Sequence, residues 1–256
     1  MKIGLALSGG GARGIAHLGV LQALEEMDIR PHIISGTSAG AIVGAFYASG
    51  LKPLEIIEVF SNTKLLQFMR PAIGKGGLLN IEKSRNFYTK HLPHQTFEGL
   101  SIPLHVAATD IEKGEAIYFS EGALIEPLLA SSRIPVVFSP MEWQEKKLVD
   151  GGILNNLPAE VIRDECNYLI GVHTNPYGDE QVIDSMKTII EKSLMLALTT
   201  NARVSMQSCD LVIEPLELSR FSTFDMKKAK EIFDIGYAHT RRLAHELSHL
   251  SQIPSS

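Results

Sequence analysis

The sequence predicts an α/β protein, a three-layer α/β/α sandwich around a mostly parallel central sheet. Three observations predict it. Short apolar runs of strand length alternate with longer segments of helical periodicity almost throughout. Glycine-rich turns follow the first two runs, where strand passes to helix in such folds. A chain of 256 residues, 45 % hydrophobic and 21 % charged, can bury one sizeable core. No internal repeat, low-complexity stretch or linker divides it, so residues 1–256 read as one domain.

The elements follow in order. Lys2 to Leu7 reads as a short buried strand, then a glycine loop, then a helix from about Ile15 to Met27 with Leu18, Leu21 and Leu24 on one face. His32 to Ser35 is the next strand, followed by the helical stretch Ala41 to Phe46 and another from Leu54 to Phe60. Residues 65–79 mix apolar side chains with Pro71 and clustered glycines and are a candidate flap over a binding groove. Ile102 to Thr109 and Glu115 to Phe119 read as a hairpin-like pair around Lys113-Gly114. A helix from Leu124 to Ser131 stops at Arg133-Ile134-Pro135, and Lys147 to Val149 is a strand ending at Asp150. Pro158 suits the first turn of a further helix. Tyr168 to His173 is a core strand, Asp184 to Met206 a long helix, Leu211 to Ile213 a last strand, and Asp225 to His249 a terminal helix.

Composition excludes several classes. A formal net charge of −5 leaves no basic excess to neutralise phosphates, so nucleic acid is not an expected partner. Two cysteines, Cys166 and Cys209, imply core packing and no disulfide framework. The N-terminal apolar run is shorter than the about 7–15 residues of an export signal. No stretch reaches a clean membrane span of about 20 residues. The expected location is the cytoplasm, with room for peripheral contact at a membrane surface.

Chemistry concentrates in three motifs. Gly36-Thr37-Ser38-Ala39-Gly40 lies between strand and helix, the setting of a nucleophile elbow, where a tight turn lifts the serine oxygen above the sheet edge. Gly9-Gly10-Gly11-Ala12-Arg13-Gly14 spells a dinucleotide-binding pattern. That function needs an acidic residue at the end of the second strand, and Ser35-Gly36 stands there instead. The same loop geometry suits an oxyanion hole, with Gly10 and Gly11 the foremost N–H donors and Arg13 holding the loop or adding positive potential. Leu148-Val149-Asp150-Gly151-Gly152 sets a carboxylate at a strand end, where open α/β sheets place reactive groups. An α/β-hydrolase triad does not fit, because Ser38 follows only two strands and no histidine occupies a comparable turn.

Taken in this order, Gly-Gly-Gly-x-Arg-Gly, Gly-Thr-Ser-Ala-Gly and Asp-Gly-Gly resemble the patatin-like phospholipases, serine lipid acyl hydrolases with a Ser–Asp dyad. The likeness extends over Ala107 to Asp110 with Gly114-Glu115, Ala130 to Pro135, and Asn156-Leu157-Pro158. The resemblance implies a patatin-like fold, Ser38 as nucleophile, Asp150 as base, the Gly9 to Gly14 loop as oxyanion hole, and a lipid ester as substrate. No cofactor and no metal is expected. An acyltransferase on the same scaffold, or a non-catalytic anion- or lipid-binding module, are the alternatives. One further motif, His245-Glu246-Leu247-Ser248-His249, matches a zinc-protease helix, but the seven residues after it offer no good third ligand. His17, close to the glycine loop, reads as packing or support.

Overall fold

The computed structural model describes residues 1–62, 77–135, 138–178, 186–222 and 226–251. Among them, one eight-stranded sheet comprises β1 (Ile3–Leu7), β2 (Ile33–Thr37), β3 (Leu104–Asp110), β4 (Glu115–Phe119), β5 (Met141–Trp143), β6 (Lys146–Asp150), β7 (Tyr168–Val172) and β8 (Leu211–Ile213). The run β3-β2-β1-β7-β8 is parallel throughout, as alternating strand and helix patterns require. β4, β5 and β6 add antiparallel pairings at one side.

Among the described residues the α-helices are α1 (Ala16–Glu26), α2 (Ala39–Ala48), α3 (Pro53–Asn62), α4 (Gly77–His91), α5 (Ile125–Ser131), α6 (Met186–Met206), α7 (Ala229–Arg242) and α8 (Ala244–Ser251). Side chains of β1 alternate between two cores, as a strand buried on both faces must. Leu5 and Leu7 pack with Leu18, Leu21 and Leu24 of α1 and Phe46 of α2. Ala6 faces the other way, onto Leu157, Ile162, Cys166 and Ala202. Sheet and flanking layers form the expected mixed α/β sandwich, with Cys166 serving as an apolar core residue.

Several local expectations change. The terminal helix is not continuous: Leu243 donates its N–H to Thr240 O in a tighter turn, and α8 sets off anew to bury Leu247 and Leu250 in the main core. Pro158 leads to a 3₁₀ segment, Glu160–Glu165, and not to an α-helix. α4 and the three-residue edge strand β5 were not anticipated. The candidate flap at 65–79 lies outside the described residues except for its last three, which begin α4.

Register explains how distant segments meet. β4 pairs with β3 from Val106 to Asp110 and so fills one of its edges. On the opposite edge, β2 pairs as far as Thr37↔Ala107, and β6 takes over at Ala108↔Asp150. β2 runs parallel to β3 and β6 antiparallel, so their carboxyl ends meet head-on along one edge. Ser38 and Asp150 are the residues at that junction.

Candidate active site

The elbow is strained at its central residue. Ser38 has φ 50° and ψ −118°, a left-handed conformation costly for a residue with a Cβ. It persists because its surroundings over-determine it. The Ser38 N–H donates to Ser131 Oγ at 2.7 Å, Ser38 O accepts from Ile42 N at 3.0 Å, and Thr37 Oγ1 donates to Asn155 O at 2.8 Å. Gly36 and Gly40 allow the tight turn: a methyl group at Gly36 would lie 2.6 Å from Ala41 N, and one at Gly40 would collide with Leu7 O. Ala39 follows as the first residue of α2.

Asp150 lies beside it. Its carboxylate accepts from Gly152 N–H at 2.8 Å and is hydrogen-bonded to the Ser38 side chain. Gly151 packs so closely on Ala107 that a methyl there would meet the Ala107 carbonyl. Burial pushes the Asp150 carboxyl up from its ordinary 3.8 to about 6, against the opposing pull of those two hydrogen bonds. A carboxylate with that value is ionised at neutral pH yet basic enough to take a proton.

The first loop faces this pair from the end of β1. Gly10 leads into a 3₁₀ turn, Gly11–Ile15, that runs directly into α1. Gly11 has φ +54°, which suits glycine. Two of the six expected oxyanion residues have committed amides: Gly9 N–H donates to Asn156 O at 3.0 Å and Arg13 N–H to Gly10 O at 3.1 Å. Among the described residues the N–H groups of Gly10 and Gly11 have no acceptor, and both residues line the pocket. Ala12 is buried, and Gly14 packs against Ala39 of the elbow.

Arg13 anchors the loop: its Nε donates to Phe221 O at 2.7 Å and an Nη to Ser219 O at 3.3 Å. Burial lowers its pKa to about 10, which leaves the guanidinium charged at neutral pH. Among the described residues its Nη1 has no hydrogen-bond partner, and the residue lines the pocket. His17 Nε2 donates to Ser8 O at 2.8 Å, and burial lowers the ring's pKa to about 4; it supports the end of β1 as a neutral ring.

The sequence reading missed the residues that hold the loop from the other side. β7 ends beside β1, and Thr174 and Asn175 after it reach across: Thr174 N donates to Ser8 Oγ at 3.0 Å and Asn175 Nδ2 to Gly9 O at 2.7 Å. Ser131, named in the sequence only as part of a motif and a helix end, supports the Ser38 amide. A run of polar residues directly after a buried strand, His173-Thr174-Asn175, is the signal that could have found the first group.

Together these groups border a pocket of about 590 Å³ lined by Gly10, Ser38, Asp150, Leu194, Met195 and Leu198, among others. Acidic, thiol and imidazole side chains do not gather in any group of three or more able to hold a metal among the described residues. In the zinc-protease-like motif, His249 instead packs edge-on against Tyr168 with ring centroids 5.2 Å apart, and its Nδ1 bonds Glu246 O.

Comparison with known proteins adds an independent line. A family model described as patatin-like phospholipase matches residues 5–163. An uncharacterized NTE family protein of Mycobacterium tuberculosis is 36% identical over 163 residues, 63% of this chain and 45% of that protein. Human patatin-like phospholipase domain-containing protein 6 is 27% identical, over 93% of this chain and 20% of its own length. A lysophospholipase of Emericella nidulans is 25% identical, over 98% of this chain and 19% of its own. The chain therefore spans less than half the length of these curated relatives. Among solved structures, VipD from Legionella pneumophila superposes with a TM-score of 0.57 at 17% identity, covering 96% of this chain and 67% of that one, a likeness of fold. With the matched segment spanning the glycine loop, the elbow and the Asp-Gly-Gly turn, the chain belongs to the patatin-like phospholipase family.

Proposed function

We propose that the protein is a serine lipid acyl hydrolase that cleaves fatty acyl esters of phospholipids or lysophospholipids through a Ser38–Asp150 dyad. The observation that carries the reading is the Ser38 hydroxyl on a strained elbow, bonded to a raised-pKa carboxylate and facing two uncommitted backbone N–H groups. Ser38 Oγ attacks the ester carbonyl carbon while its proton passes to Asp150. The carbonyl oxygen becomes an oxyanion held by Gly10 and Gly11 N–H. Collapse expels the alcohol, which leaves with the proton from Asp150, and Ser38 keeps the acyl chain. Water then repeats the sequence: Asp150 takes its proton, the fatty acid leaves, and Ser38 Oγ recovers the proton.

The pocket wall supports a lipid. Ile153, Leu194, Met195 and Leu198 are its apolar side, and Arg13 is its buried cation. α6 contributes three of these on its inner face, while Met186, Ile189 and Leu196 of the same helix are exposed. An apolar outer face on the helix that roofs a lipid pocket favours peripheral contact with a membrane surface. No helix of the described residues is long and apolar enough to cross a membrane.

Incubation with a panel of phospholipids, lysophospholipids and simple esters, with products identified by mass spectrometry, tests the reading. Free fatty acid that disappears in Ser38→Ala supports hydrolysis. Acyl chains found on an acceptor other than water establish a transferase, and no turnover of any ester leaves a binding module.

A further inference from the structure

One lysine lies on the inward stripe of α6. Lys192, Met195, Thr199 and Ala202 follow one another at steps of three or four residues and so share one side of the helix. Thr199 and Ala202 are buried, Thr199 Oγ1 donates to Asn175 O at 3.3 Å, and Met195 lines the pocket. Lys192 begins that stripe, half-buried, and lines the same pocket. A lysine turned toward the interior is uncommon unless something pairs with it. Among the described residues it has no ion-pair partner.

The charges around the pocket leave this cation spare. Arg13, Lys192 and Arg220 line it against a single acid, Asp150, in a chain whose net charge is −5. Asp150 is bonded to Ser38, Arg13 to two main-chain carbonyls, and Arg220 Nη2 to Glu231 at 2.7 Å. The distance of Lys192 from the dyad follows from the rise of α6. Leu198 packs at the Asp150 turn, because a methyl group on Gly152 would lie 2.7 Å from Leu198 Cδ2, and Asn201 Nδ2 donates to Gly152 O at 2.7 Å. Lys192 precedes Leu198 by about 9 Å along the axis, at about 1.5 Å per residue. In an extended glycerophospholipid the phosphorus lies about 6–7 Å from an ester carbonyl carbon at ordinary bond lengths. The flexible lysine stem spans the difference.

We propose that Lys192 is the phosphate subsite of this pocket, its ammonium binding the phosphate of the lipid whose ester carbonyl sits at Ser38. The inference rests on the lipid acyl hydrolase reading and deepens it: a phosphate within reach of the ester selects the substrate. A phosphate oxygen is a strong acceptor, and a compact ammonium meets it as a point charge beside the apolar wall of Leu194, Met195 and Leu198. A neutral glyceride of the same acyl chain presents only hydroxyls there and forgoes the charged contact. No covalent bond is made or broken at Lys192. It holds bound ester and transition state alike, so its loss raises KM more than it lowers kcat.

The test measures kcat and KM for a lysophosphatidylcholine and for the monoacylglycerol of the same acyl chain, both at equal mole fraction in nonionic detergent micelles. Lys192→Met removes the charge and keeps the stem. It should lower kcat/KM for the lysophospholipid by about 10-fold, chiefly through KM, and leave the monoacylglycerol within about twofold of wild type. Lys192→Gln should do the same and serves if the methionine variant folds poorly, and Lys192→Arg should recover most of the loss. An alkylphosphocholine, which carries the phosphate but no ester, should inhibit wild type about 10-fold more tightly than Lys192→Met, and inorganic phosphate at the same concentration should not inhibit. Equal losses for the two esters, no loss for either, or inhibition by inorganic phosphate as strong as by the alkylphosphocholine would each overturn the proposal. The first outcome makes Lys192 structural, the second a bystander, and the third a site for a free anion. A wild type that cleaves neither ester sinks the hydrolase reading and this inference with it. Hydrolysis that is lost in Ser38→Ala but indifferent to Lys192 removes this inference alone.

Discussion

Asp150→Asn should make the protein more stable and nearly inactive, and the size of the stability gain should depend on pH. The carboxyl is 6% exposed, and burial lifts it from 3.8 to about 6. Folding therefore favours its protonated form. Nothing is lost below the unfolded value of 3.8; as pH rises, the folded state carries a growing penalty for ionising Asp150, complete once pH exceeds about 6. A rise of about two units corresponds to about 3 kcal/mol at pH 8, and to about half of that near pH 5. Asparagine never ionises, and its Oδ1 can still accept the Gly152 N–H, so the substitution removes the penalty and keeps the turn.

Urea unfolding of both proteins from pH 5 to pH 8, alongside ester hydrolysis, checks this. The variant should gain about 2–3 kcal/mol at pH 8, a midpoint shift of about 1 M urea for a chain of this size, and the gap should narrow toward pH 5. A variant no more stable than wild type at pH 8, or a gap that ignores pH, would refute the claim that Asp150 is a desolvated carboxylate. Stability gained with hydrolysis intact would preserve the burial argument and remove Asp150 as the base.

The remaining predictions concern the same centre. A fluorophosphonate should label wild type at Ser38 and leave Ser38→Ala unlabelled, and label elsewhere would move the nucleophile. Ser38→Gly should unfold with about 1 kcal/mol more difficulty than Ser38→Ala, because glycine tolerates φ 50°; equal stabilities would mean the elbow is unstrained. Hydrolysis in wild type should fall as pH drops through about 6, where Asp150 takes up a proton, and a limb near pH 4 would point to a different group. Valine at Gly10 or Gly11 should lower turnover by about 10²–10³ with the fold retained, since a side chain at Gly10 meets Thr174 and one at Gly11 strains φ +54°. His245→Ala with His249→Ala, or a chelator, should leave turnover within about twofold, and loss on chelation alone would revive the metal reading.

Much of the scaffold could be read from pattern because its signals are local. The β1 run Ile3–Leu7, the Ser38 elbow and the Asp150 turn each declare themselves within a few residues. What stayed hidden depends on contacts across the chain. α4 has apolar and charged residues without a dominant face, and β5 is three residues long, below the length at which alternation is visible. The break at Leu243 exists because α8 must turn to bury Leu247 and Leu250, a tertiary demand that overrides a continuous helical pattern. Thr174 and Asn175 hold the glycine loop only because β7 pairs with β1, a register that no local spacing reveals.

The meeting of Ser38 and Asp150 shows the same division most clearly. Each motif announces a strand end with a reactive side chain, but proximity follows from β3, whose own sequence, Leu104 to Asp110, carries no catalytic signal. β4 takes one edge of β3, which leaves β2 and β6 to share the other from opposite directions. Their carboxyl ends must then meet between Ala107 and Ala108, where small side chains and Gly151 leave room for close approach. A larger side chain at Gly151 would strike the Ala107 carbonyl and push the end of β6 outward, separating the carboxylate from Ser38. Gly151→Val should thus lower kcat by breaking the Ser38–Asp150 hydrogen bond while Ser38, held by Ser131 and α2, stays in place. Retained turnover in a folded Gly151→Val protein would show that the shared edge of β3 is not what brings the pair together.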